Sequence, residues 1–291
     1  MFIATLIAAE TIDQGQISDG IDRLAAAGCA PSESGWIDEG RAADIFIGAS
    51  TGARAALEGA FAGIDIVVQS IVTRTKRLLI ADMDSTMITV ECIDELADYA
   101  GIKPQIAAVT EAAMRGELDF EAALDARVAL LAGLDEAVIE HCLAERVKLM
   151  PGARTLIQTM KARGSHAVLV SGGFTRFADP VAAMIGFDRA VANRLGIVGG
   201  KLDGTVARPI VGAQTKLDVL RATAGEQGIP VEATLAVGDG ANDLLMIGAA
   251  GLGVAYRAKP VVAAAADARI DHNDLTALLY AQGIPARDWV Q

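Results

Sequence analysis

The apolar run Leu78-Leu79-Ile80-Ala81 stops at two carboxylates one residue apart, Asp82 and Asp84, which are followed by the hydroxyls of Ser85 and Thr86. A short continuous apolar run bounded by a turn reads as a strand buried on both faces, the kind found in the parallel sheet of an α/β protein. In open sheets of that kind the ligand crevice lies beyond the carboxyl ends of the strands. Residues i and i+2 of an extended segment point the same way, so Asp82 and Asp84 are expected to face one site. Two carboxylates that close raise each other's pKa unless a cation lies between them or one stays protonated. A divalent metal or a split acid/base pair is implied. A helix N-cap would also use Asp, Ser or Thr, but a cap needs only one such residue.

The chain has 291 residues, enough for a sizeable core and two or three domains. An apolar fraction of 52% with only 4% aromatics describes a compact, alanine- and glycine-rich α/β protein rather than a disordered one. No apolar run reaches the ~18 residues of a membrane-crossing helix. Met1 to Ala9 is apolar but has no basic region ahead of it, so it is not read as a signal peptide and the cytoplasm is the default location. Cys29, Cys92 and Cys142 are widely spaced and form no Cys-x-x-Cys pair, which suggests small core residues rather than disulfides or a zinc site. A formal net charge of −12 argues against nucleic acid or an anionic membrane as partner. An anionic substrate must then be held by local positive groups. His141, His166 and His272 are isolated in sequence and are read as surface or satisfied residues.

Residues 1–75 read as a separate small unit. Strand candidates at Phe2 to Ala8, Trp36-Ile37, Asp44 to Ala49 and Ile64 to Val72 alternate with helices at Ser18 to Ala27 and Thr51 to Phe61. The order βαββαβ predicts a ferredoxin-like sandwich. That topology resembles small amino-acid-binding regulatory domains, and a regulatory and a dimerisation role both stay open. Thr73-Arg74-Thr75-Lys76-Arg77 is polar and basic and is expected to be a linker.

From Asp94 to about Arg146 the pattern is helical, with Ile93, Leu96, Ala97 and Ala100 at helical spacing and further helices near 105–114, 119–132 and 136–147. About fifty helical residues between a first strand and its partner read as a cap over the crevice, which would exclude water from the site. The domain reading is therefore 1–75 and 76–291, the latter with a core of 76–90 and 147–291 and a helical cap of about 91–146. An α/β pattern resumes after Met150-Pro151-Gly152. The strand Ala167 to Val170 runs into Ser171-Gly172-Gly173, where a hydroxyl and two glycines let backbone amides approach an anion. A hairpin is expected over Ile197 to Val206. Lys216 stands at the expected start of a helix, Lys216 to Ala224, where the helix dipole mildly disfavours a cation. Leu235-Ala236-Val237-Gly238-Asp239 repeats the pattern of a buried strand ending in an acid, and Asn242-Asp243 opens the next helix. Hard oxygen ligands of this kind suit Mg²⁺. A closing helix is expected over Leu275 to Gln282.

In order, these motifs resemble those of the haloacid dehalogenase superfamily. Asp82 to Glu91 and Met114 to Arg127 are similar to the phosphoserine phosphatase family in particular. The resemblance covers roughly residues 77 to 291 and implies a doubly wound, mostly parallel Rossmannoid core with a helical cap. It implies a Mg²⁺-dependent phosphatase that releases L-serine from O-phospho-L-serine, the last step of serine biosynthesis. Asp82 would be the nucleophile, forming an aspartyl-phosphate, and Asp84 the general acid/base. Asp82, Asp239 and the Asp84 carbonyl would hold the metal, with Asp243 just outside them. Ser171, Gly172 and Lys216 would bind phosphate. Glu91 would hold the substrate ammonium and Arg127 its carboxylate, with Asn242 on phosphate or substrate, and Met114 and Phe120 lining the pocket. A guanidinium binds carboxylate bidentately, so the assignment suits a zwitterion. Another small phosphomonoester, such as a sugar phosphate, is the alternative substrate; a serine sensor with an inert core is a second alternative. A homodimer is expected, without a residue pattern behind it.

Overall fold

In a computed structural model of the chain, the structure describes residues 1–114 and 117–291, apart from the Met114 side chain. The first unit contains β1 (Phe2–Ala8), α1 (Gln14–Ala26), β2 (Pro31–Asp38), β3 (Ala42–Ile47), α2 (Ala53–Leu57) and β4 (Ile64–Ser70). Its antiparallel sheet has the order β2-β3-β1-β4, the ferredoxin-like arrangement. Two helix boundaries differ from expectation. α1 starts at Gln14 rather than Ser18 because Asp13 and Gln16 form a capping box, each side chain bonding the other's backbone N–H. α2 stops at Leu57, since Glu58 turns extended and Gly59 takes φ 76°.

One face of this sheet buries Leu6, Ile45 and Ile66 against Leu24 of α1 and Leu57 of α2. The other face sends Ile7, Ala42 and Val67 into the apolar cluster of the larger unit. Asp65, 4% exposed, accepts the N–H groups of Asp271, His272 and Asn273 and the Asn273 amide at 2.9–3.2 Å. The Thr73–Arg77 stretch is therefore not the free linker its polarity suggests. Arg74 pairs with Asp44 at 2.8 Å and donates to the Ala281 carbonyl at 2.9 Å, while buried Lys76 donates to the Glu232 carbonyl at 3.0 Å. Arg74 thus ties the two units together, and Lys76 anchors the end of the stretch within the larger one.

The second unit runs β5 (Leu78–Ala81), α3 (Cys92–Tyr99), α4 (Lys103–Met114), α5 (Phe120–Ala129), α6 (Ala137–Glu145), α7 (Ala153–Ala162), β6 (His166–Phe174), α8 (Thr175–Ile185) and β7 (Arg189–Asn193). It continues with β8 (Leu195–Val198), β9 (Lys201–Val206), α9 (Ala213–Glu226), β10 (Thr234–Gly238), α10 (Leu244–Ala249), β11 (Leu252–Tyr256), α11 (Pro260–Ala265), β12 (Ala268–Ile270) and α12 (Ala277–Ala281). The sheet is parallel, in the order β12-β11-β10-β5-β6-β7, with apolar clusters on both faces. Ala81 sits level with Val237 of β10 and Leu169 of β6, so Asp82, Asp239 and Ser171 come together at the carboxyl-end side of three adjacent strands. No described helix is long and apolar enough to cross a membrane.

Helices α3 to α6 form the cap. The β8–β9 hairpin, rising from the core, reaches the α5–α6 connection through backbone bonds from Gly133 to Leu202, Leu202 to Leu134 and Glu136 to Gly200 at 2.8–2.9 Å. Arg208 pairs with Asp125 of α5, and Arg176 with Glu136 at 2.5 Å.

Candidate active site

The end of β5 delivers Asp82, 6% exposed, onto a cavity of about 400 Å³ lined on one side by the cap. Lys216 meets it from the first turn of α9, which begins three residues earlier than the pattern suggests, at Ala213. Its ammonium, fully buried, donates to Asp82 Oδ1 at 2.5 Å and Asp243 Oδ1 at 2.6 Å. Burial alone would lower the lysine pKa, but the two carboxylates hold it above the ordinary value. Burial followed by repulsion from Asp243 raises Asp82 well above the usual range, in spite of Lys216. The other oxygen of Asp243 accepts the N–H groups of Asp239 and Gly240 at 3.1 and 3.0 Å, so this residue ties Lys216 to the turn after β10. That turn passes so close that a Cβ on Gly238 would lie 2.4 Å from the Asp243 carboxyl, which explains the glycine.

Asp84 Oδ1 accepts the Cys92 N–H at 2.9 Å, and Oδ2 faces the Ser171 hydroxyl at 3.4 Å. Burial and the nearby Glu91 raise its carboxyl to about 6. The Ser171 hydroxyl accepts the Gly173 N–H at 2.8 Å, and a Cβ on Gly173 would lie 2.8 Å from Asp84 Oδ2. Thr86 donates to Asp239 Oδ1 at 2.9 Å, and burial lifts Asp239 to about 6.

At the cap end of the cavity stand Glu91, Phe120 and Arg127, with Asn242 and Lys259 on its core side. Glu91 accepts the Ser85 hydroxyl at 2.6 Å, and Ser85 takes φ 56° to present it. Arg127 Nε donates to the Ala123 carbonyl at 3.2 Å, and burial lowers the guanidinium pKa from its ordinary value. Asp82, Asp84, Glu91, Phe120, Arg127, Ser171, Gly172, Asp239 and Asn242 thus share one cavity, with Lys216 and Asp243 behind it. Met114, expected in the pocket lining, lies outside the described residues as a side chain.

The carboxylates of Asp82, Asp239 and Asp243 offer ligand atoms within 4.8 Å of one another, the one such cluster among the described residues. Both oxygens of Asp243 are engaged by Lys216 and backbone amides, whereas Asp82 and Asp239 each keep an oxygen with no partner among the described residues. A set of oxygen donors only, with raised carboxyl pKa values, fits a hard divalent cation.

Sequence reading, which gave the Asp84 to Thr86 turn amides to phosphate, missed the side-chain partners of Ser85 and Thr86, the Cys92 amide and Lys259. The hydroxyls were visible beside the two acids, but their partners are set by the turn that follows β5. Lys259 carried no signal, since a lone lysine before proline is unremarkable; its backbone N–H donates to the Asp239 carbonyl at 3.2 Å.

Residues 79–247 match the family of haloacid dehalogenase-like hydrolases. Phosphoserine phosphatase SerB2 of Mycobacterium tuberculosis is 48% identical over 223 residues, covering 76% of this chain and 54% of that protein. The chain thus spans about half the length of that curated relative. Phosphoserine phosphatase of Idiomarina loihiensis is 47% identical over 202 residues, covering 69% of this chain and 91% of that one. A crystal structure of a probable phosphoserine phosphatase from Vibrio cholerae, in unliganded form, superposes with a TM-score of 0.78 at 35% identity, over 99% of this chain and 87% of that one.

Proposed function

The chain belongs to the haloacid dehalogenase-like hydrolases, and from that membership we propose that it hydrolyses O-phospho-L-serine to L-serine and phosphate through an aspartyl-phosphate on Asp82, with Mg²⁺ as cofactor. The observation that carries the reading is the pairing of two kinds of group in one cavity. Asp82, Ser171 and the turn amides suit a phosphoryl group at one end, while Glu91 and Arg127 suit a zwitterion at the other.

Phosphate monoesters resist hydrolysis because attack brings anionic oxygen towards anionic phosphate, so a catalyst must neutralise charge and fix an in-line geometry. Asp82 attacks phosphorus as a carboxylate, and the bond to the serine oxygen breaks. Asp84, raised to about 6 by burial and Glu91, is protonated in part near neutral pH and gives its proton to the departing oxygen. It then takes a proton from the water that attacks the aspartyl-phosphate, and the Asp82 carboxylate is released. Lys216, Ser171 and the amides of Gly172 and of the Asp84 to Thr86 turn hold the phosphoryl oxygens. Asp82, Asp239 and the Asp84 carbonyl would hold Mg²⁺, which would supply further positive charge to offset that of the phosphoryl group. Residues 1–75 would serve as a regulatory or dimerisation domain of a cytoplasmic homodimer; exposure along most of the edge strand β2 supports the pairing.

The test is phosphate release from L-phosphoserine with Mg²⁺, beside the same sample in EDTA. Rapid release abolished by EDTA is expected, and Arg127→Ala should raise KM for phosphoserine by about tenfold or more while sparing p-nitrophenyl phosphate, since it removes a charged substrate contact. Release from sugar phosphates but not from phosphoserine would overturn the substrate assignment.

A further inference from the structure

Asn193 ends β7 at 2% exposure, in none of the motifs that mark the site. Its Nδ2 donates to the Gly172 carbonyl at 2.8 Å and to the Val211 carbonyl at 3.5 Å. Its Oδ1 accepts the Val211 N–H at 2.7 Å. One side chain therefore joins two segments that approach the cavity separately. Gly172 belongs to the Ser171-Gly172-Gly173 turn. Val211 precedes Gly212, whose carbonyl accepts the Lys216 N–H at 3.1 Å in the first turn of α9.

The same two segments meet on their other side. A Cβ at Gly172 would lie 3.2 Å from the Phe120 ring of the cap, and one at Gly212 would lie 3.5 Å from it. The ring of Phe120 rests on both glycines, and Asn193 ties their segments together from within the core. A buried amide is costly unless both its ends are bonded, and here both are. Fixed donors stabilise a transition state because they need no reorganisation when charge develops. Donors on two independent segments stay fixed only if the segments are fixed to each other.

We propose that Asn193 is a positioning residue for phosphoryl transfer, holding the Ser171-Gly172 turn and the Val211-Gly212 approach to Lys216 at a set separation. The inference rests on the phosphatase reading above. Asn193→Asp keeps shape and the acceptor for Val211 N–H but replaces the donor to Gly172 with an oxygen. Asn193→Ser is smaller and neutral, and so separates lost geometry from added charge.

Both variants are to be assayed on L-phosphoserine for kcat and KM, for competitive inhibition by inorganic phosphate, and for thermal midpoint. The expected result is a fall in kcat on the order of 100-fold, as for misplacement of reacting groups by about an ångström. KM for phosphoserine should rise by no more than about tenfold, because Glu91 and Arg127 on the cap side still grip the substrate. Phosphate, which lacks those handles, should inhibit about tenfold more weakly, as expected for the loss of one well-made charged contact. If one variant does not fold, the other decides. Either variant folding with kcat or phosphate inhibition within twofold of the wild type overturns the proposal. A wild type inactive on every phosphomonoester overturns the phosphatase reading itself, which is a different result.

Discussion

Asp84 is held in a place that raises its pKa to about 6 by burial and the proximity of Glu91, so the folded state binds its proton more tightly than the unfolded chain does. The sign of the linkage follows. Below about pH 4 the group is protonated in both states and contributes nothing; as pH rises to about 6 the folded state must give up a favoured proton, and stability is lost. Replacing Asp84 with Asn removes that loss. In EDTA, Asp84→Asn should be more stable than the wild type by roughly 1–3 kcal/mol at pH 7.5 in urea titrations, with the gain gone near pH 4, while phosphate release falls by roughly 10²- to 10⁴-fold. A variant no more stable at pH 7.5 would refute this account of the carboxyl. At this scale, Asp82, Asp84 and Asp239 were legible because acids at the ends of buried strands conflict with their surroundings. Thr86, the Cys92 amide and Asn193 were not. Their roles depend on partners brought near by the fold, as the Thr86 bond to Asp239 across 153 positions shows.

The β8–β9 hairpin helps secure the cap to the core through its backbone bonds to the α5–α6 connection. Arg208 and Asp125, at 51% and 43% exposure, are too solvated for their ion pair to add much. Asp125→Ala should shift stability by no more than about 0.5 kcal/mol. Gly204 is different: it takes φ 84°, and a Cβ there would lie 3.0 Å from Ala132 and 3.3 Å from the Ala129 backbone. Gly204→Val should cost about 2–4 kcal/mol in thermal or urea unfolding, from backbone strain together with overpacking. Equal effects of the two substitutions would contradict this division of labour. The hairpin and the helical insert could both be read from glycine spacing and from a change of period. The start of α9 could not, because Lys216 looks like a poor first-turn residue until its two carboxylate partners are in view.

Across the whole molecule, the two units are joined through Asp65, whose buried carboxylate gathers four N–H donors from residues 271 to 273. Asp65→Ala would leave those donors unpaired and should cost about 3–5 kcal/mol, read as a lower urea midpoint. A midpoint unchanged from the wild type would show the joint to be dispensable. The ferredoxin-like order was legible from alternating strands and helices. The joint was not, since a basic stretch such as Thr73–Arg77 looks the same whether it is solvated or spent on distant partners. The polar joint is also uneven. Arg54, Asp65, Gln69 and Arg74 reach across with side chains, and the larger unit answers mostly with backbone, the amides of Asp271 and His272 and the carbonyls of Ala263 and Ala281, with the side chains of Asn273 and Arg269 as exceptions, the latter on Glu58 at 3.1 Å. A backbone group is present whatever residue bears it. Mutational drift at 271, 272 and 281 can therefore proceed without detaching the units, while much of the polar attachment's genetic vulnerability lies in a few codons of the smaller one.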